Sequence, residues 1–380
     1  MGMNTSGKVQ VHTRDGIRRV EDMGDDNTSV VVEGIPTEIL SEIFKLTCAS
    51  DNPSHSPQMT LSHVNRCWRS IICDMPELWT TIEIRQCDAN VLQEVLHRSK
   101  GRLLNIDINL SNATSIRATI GTLKILKAEM GRCRSITMVA SETTYKLVCG
   151  IFGDALSAPH LSSLELTSRH RIEGQECLFP YVTFNPRVLR HVLLDGVSIP
   201  LADFSGIETM AIKNLSAHWL PLSLGQNNVL HNITVFNTIL TWRTNLVTPR
   251  LTDMTLDWQD ISTVLVANWN APALENLTIS KASGAVWSSL MFYLTRNPQP
   301  AAFMGLKGLK LVNCDAVAME DHLEVTPFME AIRSLTSLEF VHTTPGLVLA
   351  YLRQCPQACP HLVNIQVDGD TILRPGVGSP

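Results

Sequence analysis

From residue 103 onward one short unit keeps returning: an apolar residue, two spacers, an apolar residue, one spacer and a further apolar residue. It opens as Leu103-Ile106-Ile108 and closes as Leu362-Ile365-Val367, eleven copies in all. The last two apolar positions are two apart, the period of a strand with one buried face. Copies start on average about 26 residues apart, with spacings of 18 to 32. One such triplet is no more than a buried strand or a helix fragment. Many in near-regular succession mean stacked copies of one supersecondary unit, each burying a face the others complete.

A second regularity supports the first. In APHL, TPRL, APAL and CPHL a proline stands two residues before the opening leucine, at Pro159, Pro249, Pro272 and Pro360. Proline fixes φ and restricts the residue before it, so it can end a preceding helix and start an extended run. The average spacing lies in the range of about 20–29 residues typical of leucine-rich repeats. The expected fold class is therefore α/β: an irregular leucine-rich-repeat solenoid over residues 81–370 with a parallel concave sheet. The asparagine that usually follows the strand is mostly missing; Cys314 fits that place, with Ser111, Ser141, Thr238 and Thr343 as small polar substitutes. Alternation then presents the residues between and after the apolar pairs: Glu165, Thr167, Asp195, Lys213, Phe236, Asp257, Thr278, Lys310, Glu339 and Asp368. Phe236 and the adjacent Trp258 are the candidate anchors of a protein contact. The alternative is that both rings pack between neighbouring repeats.

The chain before the repeats reads differently. Residues 1–30 are polar and mixed in charge, the pattern of a flexible arm. Residues 31–80 hold two short helical patterns. In GIPTEILSEIFKLT, Ile39, Leu40, Ile43 and Phe44 fall along one side, Pro36 suits the first turn, and Glu38 complements the positive end of the helix dipole. CASDNPSHSPQM reads as a loop. TLSHVNRCWRSIICDMP then places Leu61, Val64, Trp68 and Ile71 or Ile72 at helical steps, with Pro76 ending the run. Two helices this short are marginal alone and must bury their apolar faces against each other or against another protein. Residues 371–380 read as a tail.

Several function classes are disfavoured. The net charge of -5, with lysine and arginine scattered, lacks the basic footprint of nucleic-acid binding. No apolar h-region opens the chain and no window approaches the roughly 18 apolar residues of a membrane span, so neither secretion nor a membrane is expected. Hydrophobic residues at 44% suffice for a large core. Ten cysteines, most within apolar patterns, fit reduced thiols and a cytoplasmic or nuclear setting. Cys355 and Cys359 have the wrong spacing for a zinc knuckle and no second pair follows. No nucleophile elbow, phosphate loop, zincin helix or dinucleotide fingerprint occurs. MEDHLE, residues 319–324, groups acids with His322 but reads as a solvated helix face. The sequons at Asn232 and Asn276 lie in strand units, a poor place for glycans. No catalysis, metal or cofactor is expected.

The N-terminal motifs, I-P-x-E-I-L-x-E-I-F, then L-S-x-V-N-R-x-W-R, then P-E-L-W, resemble the F-box as found near the N-terminus of fungal F-box proteins. Ile35 stands where leucine usually precedes the proline, and the loop between the helices is long. The resemblance covers residues 34–80. It implies docking on a Skp-type adaptor, and through it on a cullin and a RING subunit of a ubiquitin ligase, with the downstream repeats holding a protein substrate. Matched by position, it implies an adaptor-facing surface drawn from Ile35, Pro36, Ile39, Leu40, Ile43, Phe44, Leu61, Val64 and Trp68. Some of these must instead knit the box together. The rival class is a leucine-rich scaffold acting outside ubiquitylation.

Overall fold

A computed structural model describes residues 35–48, 57–85, 89–111, 115–152, 156–169, 177–178, 182–184, 187–199, 205–215, 228–237, 247–257, 270–282, 304–314, 326 and 329–372. The expected arm, the inter-helix loop at 49–56, MEDHLE, Trp258 and most of the tail lie outside these residues. The chain divides into two compact units, residues 1–73 and 74–380. Division thus falls before P-E-L-W, which opens the second unit as a 3-10 turn, Pro76–Trp79, with Leu78 and Trp79 buried.

In the first unit α1 spans Thr37–Cys48, α2 Pro57–Ser62 and α3 Arg66–Cys73. Pro36 sits just outside α1, and its carbonyl accepts from the Leu40 amide at 3.1 Å. Glu38 occupies the first turn and Lys45 the last, each complementing the helix dipole. Asn65 caps α3: its Oδ1 accepts from the Trp68 amide at 2.8 Å, satisfying a donor that the first turn leaves free. The Arg69 side chain donates to the Ser62 carbonyl at 2.9 Å and joins α3 to α2. Phe44 meets Trp68 edge-on, ring centroids 4.9 Å apart at 61°, an arrangement aromatic quadrupoles favour.

The second unit is mixed α/β around one large, mostly parallel sheet of thirteen strands. They are β1 Thr81–Ile84, β2 Leu104–Asn109, β3 Cys133–Ser141, β4 Ser163–Arg169, β5 His191–Asp195, β6 Thr209–Lys213 and β7 Asn232–Phe236. The series continues with β8 Asp253–Asp257, β9 Asn276–Ser280, β10 Gly308–Val312, β11 Ser337–Val341, β12 Asn364–Val367 and β13 Asp370–Ile372. Spatial order equals chain order, with β1 and β13 at the two ends, so the sheet does not close into a barrel. Every pairing is parallel except β12 with β13. Parallel neighbours need a crossover that returns to the same edge, and the helices α4 Ala89–Arg98, α5 Ile116–Glu129, α6 Glu142–Phe152 and α7 Gly346–Gln354 lie in four of these connections.

In all eleven apolar triplets the last two members lie on strands of this sheet. Their second and third members pair in register across it, as in Ile106 with Ile136 and Leu309 with Leu338, and make one buried face. In the first copy the buried residue is Leu104, while Leu103 is 44% exposed, a slip of one position. Tyr145 of α6 ties the layers together, its hydroxyl within 3.0 Å of the Met138 carbonyl on β3 and 3.2 Å of the Thr167 carbonyl on β4.

The prolines act in a way the sequence does not reveal. Each holds the second position of a β-turn in which the leucine amide donates back three residues: Leu161 to Ala158, Leu251 to Thr248, Leu274 to Ala271 and Leu362 to Cys359, at 3.1–3.2 Å. A φ fixed near −65° is what that corner requires. A second recurring turn follows the strands. Gly196, Asn214, Asn237, Lys281, Asn313, His342 and Asp368 each stand one residue past a strand with φ between +46° and +68°. At the end of the sheet Asp368 and Gly369 both have positive φ, and Val367 pairs with Asp370, making a two-residue hairpin that brings in β13. The expected tail boundary at 371 therefore cuts a strand.

Candidate functional site

Two surfaces carry the residues singled out in the sequence. The first is helix α1. Its four adjacent apolar positions split into two stripes. Leu40 and Phe44, 3% and 0% exposed, are sealed inside the chain and are corrected from contact residues to core. Ile39 and Ile43 are 53% and 43% exposed. With the exposed Pro36 before them and Leu46, 74% exposed, after them, they form a seam at steps of three, four and three residues. Leu46 was missed in the sequence, although its offset from Ile43 was the available signal. Val64, after α2, is also exposed, while Ile35, Leu61 and Trp68 are half-buried. The seam is apolar along its length and includes no charged side chain of α1; Glu42 and Lys45 pair with each other at 2.8 Å.

The second surface is the face of the sheet opposite the buried rows. Its middle row runs Glu83, Asp107, Thr137, Glu165, Leu193 and Ala211 over β1 to β6. It continues Thr234, Thr255, Thr278, Lys310, Glu339 and Gln366 over β7 to β12. Of the predicted contact residues, Glu165, Asp195, Lys213, Phe236, Lys310 and Glu339 are half-buried on this face. Several are engaged. Lys310 pairs with Glu339 at 2.8 Å, and the Asp195 carboxylate accepts from the Asn214 side chain at 2.7 Å, which in turn accepts from Asn237 at 2.7 Å. Lys281 lies over the Phe236 ring, 4.2 Å from its centroid, so Phe236 is a capped ring and not a bare anchor. Asp257 is corrected: it is buried, because strict alternation fails at the last residue of β8.

A cavity of about 170 Å³ opens over β4 to β7, lined by Glu165, His191, Leu193, Thr209, Ala211 and Thr234 among others. His191 Nδ1 and Thr209 Oγ1 are 2.6 Å apart and hold each other in place. Sequence reasoning placed only Glu165 here; His191 and Thr209 occupy the position before the middle row, where strand alternation could have found them.

The remaining titratable features are structural. Cys133, the first residue of β3, is buried, and that burial pushes its thiol up to about 12, with Arg132 opposing the rise and Glu129 adding to it. Cys314 and Cys359 are buried and Cys355 is exposed. Among the described residues no three His, Cys, Asp or Glu side chains cluster as metal ligands, and no helix is long and apolar enough to cross a membrane. No family model matches this chain, and no curated protein matches it either.

Proposed function

We propose that this chain is a substrate receptor of a ubiquitin ligase of the Skp–cullin–F-box type, with no chemistry of its own. The module of residues 31–80 serves as the F-box, and the large sheet belongs to a leucine-rich-repeat solenoid that holds the client. The observation that carries the reading is the seam Pro36-Ile39-Ile43-Leu46, an apolar stripe exposed on a helix whose other stripe is already buried. Exposed apolar residues in a continuous row mark a contact surface, and helix-in-groove docking uses anchors at these spacings. The sequence around the seam is the one that resembles the F-box, so a Skp-type adaptor is the partner that fits it. On this reading Leu40 and Phe44 shape the helix, Ile39 and Ile43 touch the adaptor, and Val64 extends the contact.

The open sheet face supports the second half of the proposal. Polar and charged side chains from strand after strand stand on one surface, mixed in sign, a pattern that a partner of complementary charge can match. The test is co-purification of a Skp-type adaptor with the full chain, wild type against Ile39→Asp/Ile43→Asp. Retention by the wild type and loss by the variant supports the reading; no capture by the wild type overturns it.

A further inference from the structure

We propose that the cavity over β4 to β7 receives one basic side chain, lysine or arginine, of a client protein; the inference rests on the receptor reading and names what the receptor grips. Charge balance along the middle row is the starting point. Glu83 and Asp107 share Arg85, at 3.4 and 3.2 Å, and Glu339 has Lys310. Glu165 is the charged member of the row left over: it is half-buried, and among the described residues no cation stands within ion-pair distance of it. A carboxylate partly removed from water without a counter-charge gains more from an incoming cation than a fully solvated one does.

The surroundings match the rest of such a side chain. Next to Glu165 in the row come Leu193 and then Ala211, both half-buried on the open face, a short apolar floor two strands wide. Lysine and arginine lay an aliphatic stem on apolar surface while the charged head reaches a polar partner. His191 and Thr209, bonded to each other, and Thr234 form polar walls. A volume of about 170 Å³ is small beside the roughly 300–1,000 Å³ of sites for free small molecules, so a single side chain presented by a polypeptide is the occupant of the right size. An acidic occupant is disfavoured because Arg190, the arginine next to His191 in the chain, already pairs with Glu208 at 3.2 Å.

Panning a random peptide display library on the immobilised full chain tests the assignment. Recovered peptides are expected to be enriched in lysine or arginine at one fixed position, with binding weakened by moderate salt. In Glu165→Gln, which keeps shape and removes charge, affinity of the recovered peptides should fall about tenfold or more. Glu165→Lys should shift the enrichment towards aspartate and glutamate. Enrichment of acidic or apolar residues by the wild type, no enrichment, or a Glu165→Gln variant that binds as tightly overturns the assignment. Adaptor capture by the same preparations is read separately. It depends on α1, should be unaffected in both variants, and its absence in the wild type counts against the receptor reading alone.

Discussion

Leu40→Ala and Ile43→Ala remove similar amounts of hydrocarbon from positions three residues apart on α1, yet they should act on different properties. Leu40 is 3% exposed, so its truncation loses buried apolar contact and leaves a cavity, costing about 2–5 kcal/mol. A core in a unit of 73 residues rarely supplies more than about 3–5 kcal/mol, so this change should nearly unfold it. Ile43 is 43% exposed in the free chain, which cuts the loss to about 1 kcal/mol, and alanine's better helix propensity returns part of that. Hydrogen exchange read by mass spectrometry on peptides from α1 and α3 measures both. Protection in Leu40→Ala should fall by a factor of about 30 or more, and in Ile43→Ala by less than about fivefold. Equal losses in the two variants would mean that the seam is structural, and the division of α1 into a core stripe and a contact stripe would be wrong.

Four further outcomes follow from named side chains. Arg132 pairs with Glu129 and donates to the Ser99 hydroxyl, the Arg102 carbonyl and the Leu96 carbonyl at the end of α4; Arg132→Ala should cost about 2–3 kcal/mol in urea unfolding, with Arg132→Lys recovering only part. Asn237 has φ +47°, so Asn237→Gly should lose only its hydrogen bond to Asn214, whereas Asn237→Val should cost about 1–2 kcal/mol more, read as a lower melting temperature. Cys67 and Cys355 are exposed and should react with a thiol reagent at pH 8 long before Cys133, Cys314 and Cys359. Because the folded-state value of Cys133 is raised from 9.0 to about 12, its contribution to stability is full below pH 9 and is lost as pH climbs towards 12; Cys133→Ser should flatten that alkaline decline in urea titrations.

The strands were legible because alternation inside a short run, repeated at a steady interval, leaves few other structures. The turns that frame them were harder. Proline at a fixed offset could be seen, but both a helix end and a β-turn corner tolerate it, and only the Leu161-to-Ala158 type of hydrogen bond separates the two. The left-handed residue after seven of the strands went unread because Gly, Asn, Lys, His and Asp all fill it, so no single letter marks it. Asp368-Gly369 is the exception: a D-G pair between apolar runs was a hairpin signal in plain view. On α1 the positions 39, 40, 43 and 44 contain two interleaved i, i+4 pairs, and the sequence cannot say which pair turns inward. Asp257 and Phe236 show the same limit on the sheet, since alternation assigns a face but not what else reaches it, here burial in one case and Lys281 in the other.

Calorimetric titration of the purified full chain with a purified Skp-type adaptor bears most directly on the seam of α1. A one-to-one complex for the wild type is expected, weakened at least about 100-fold in Ile39→Asp/Ile43→Asp, given that central apolar anchors contribute about 2 kcal/mol or more apiece. Hydrogen exchange should find α1 and α3 of that variant still protected. No heat of binding with the wild type, or an unchanged affinity in the variant, would contradict the account.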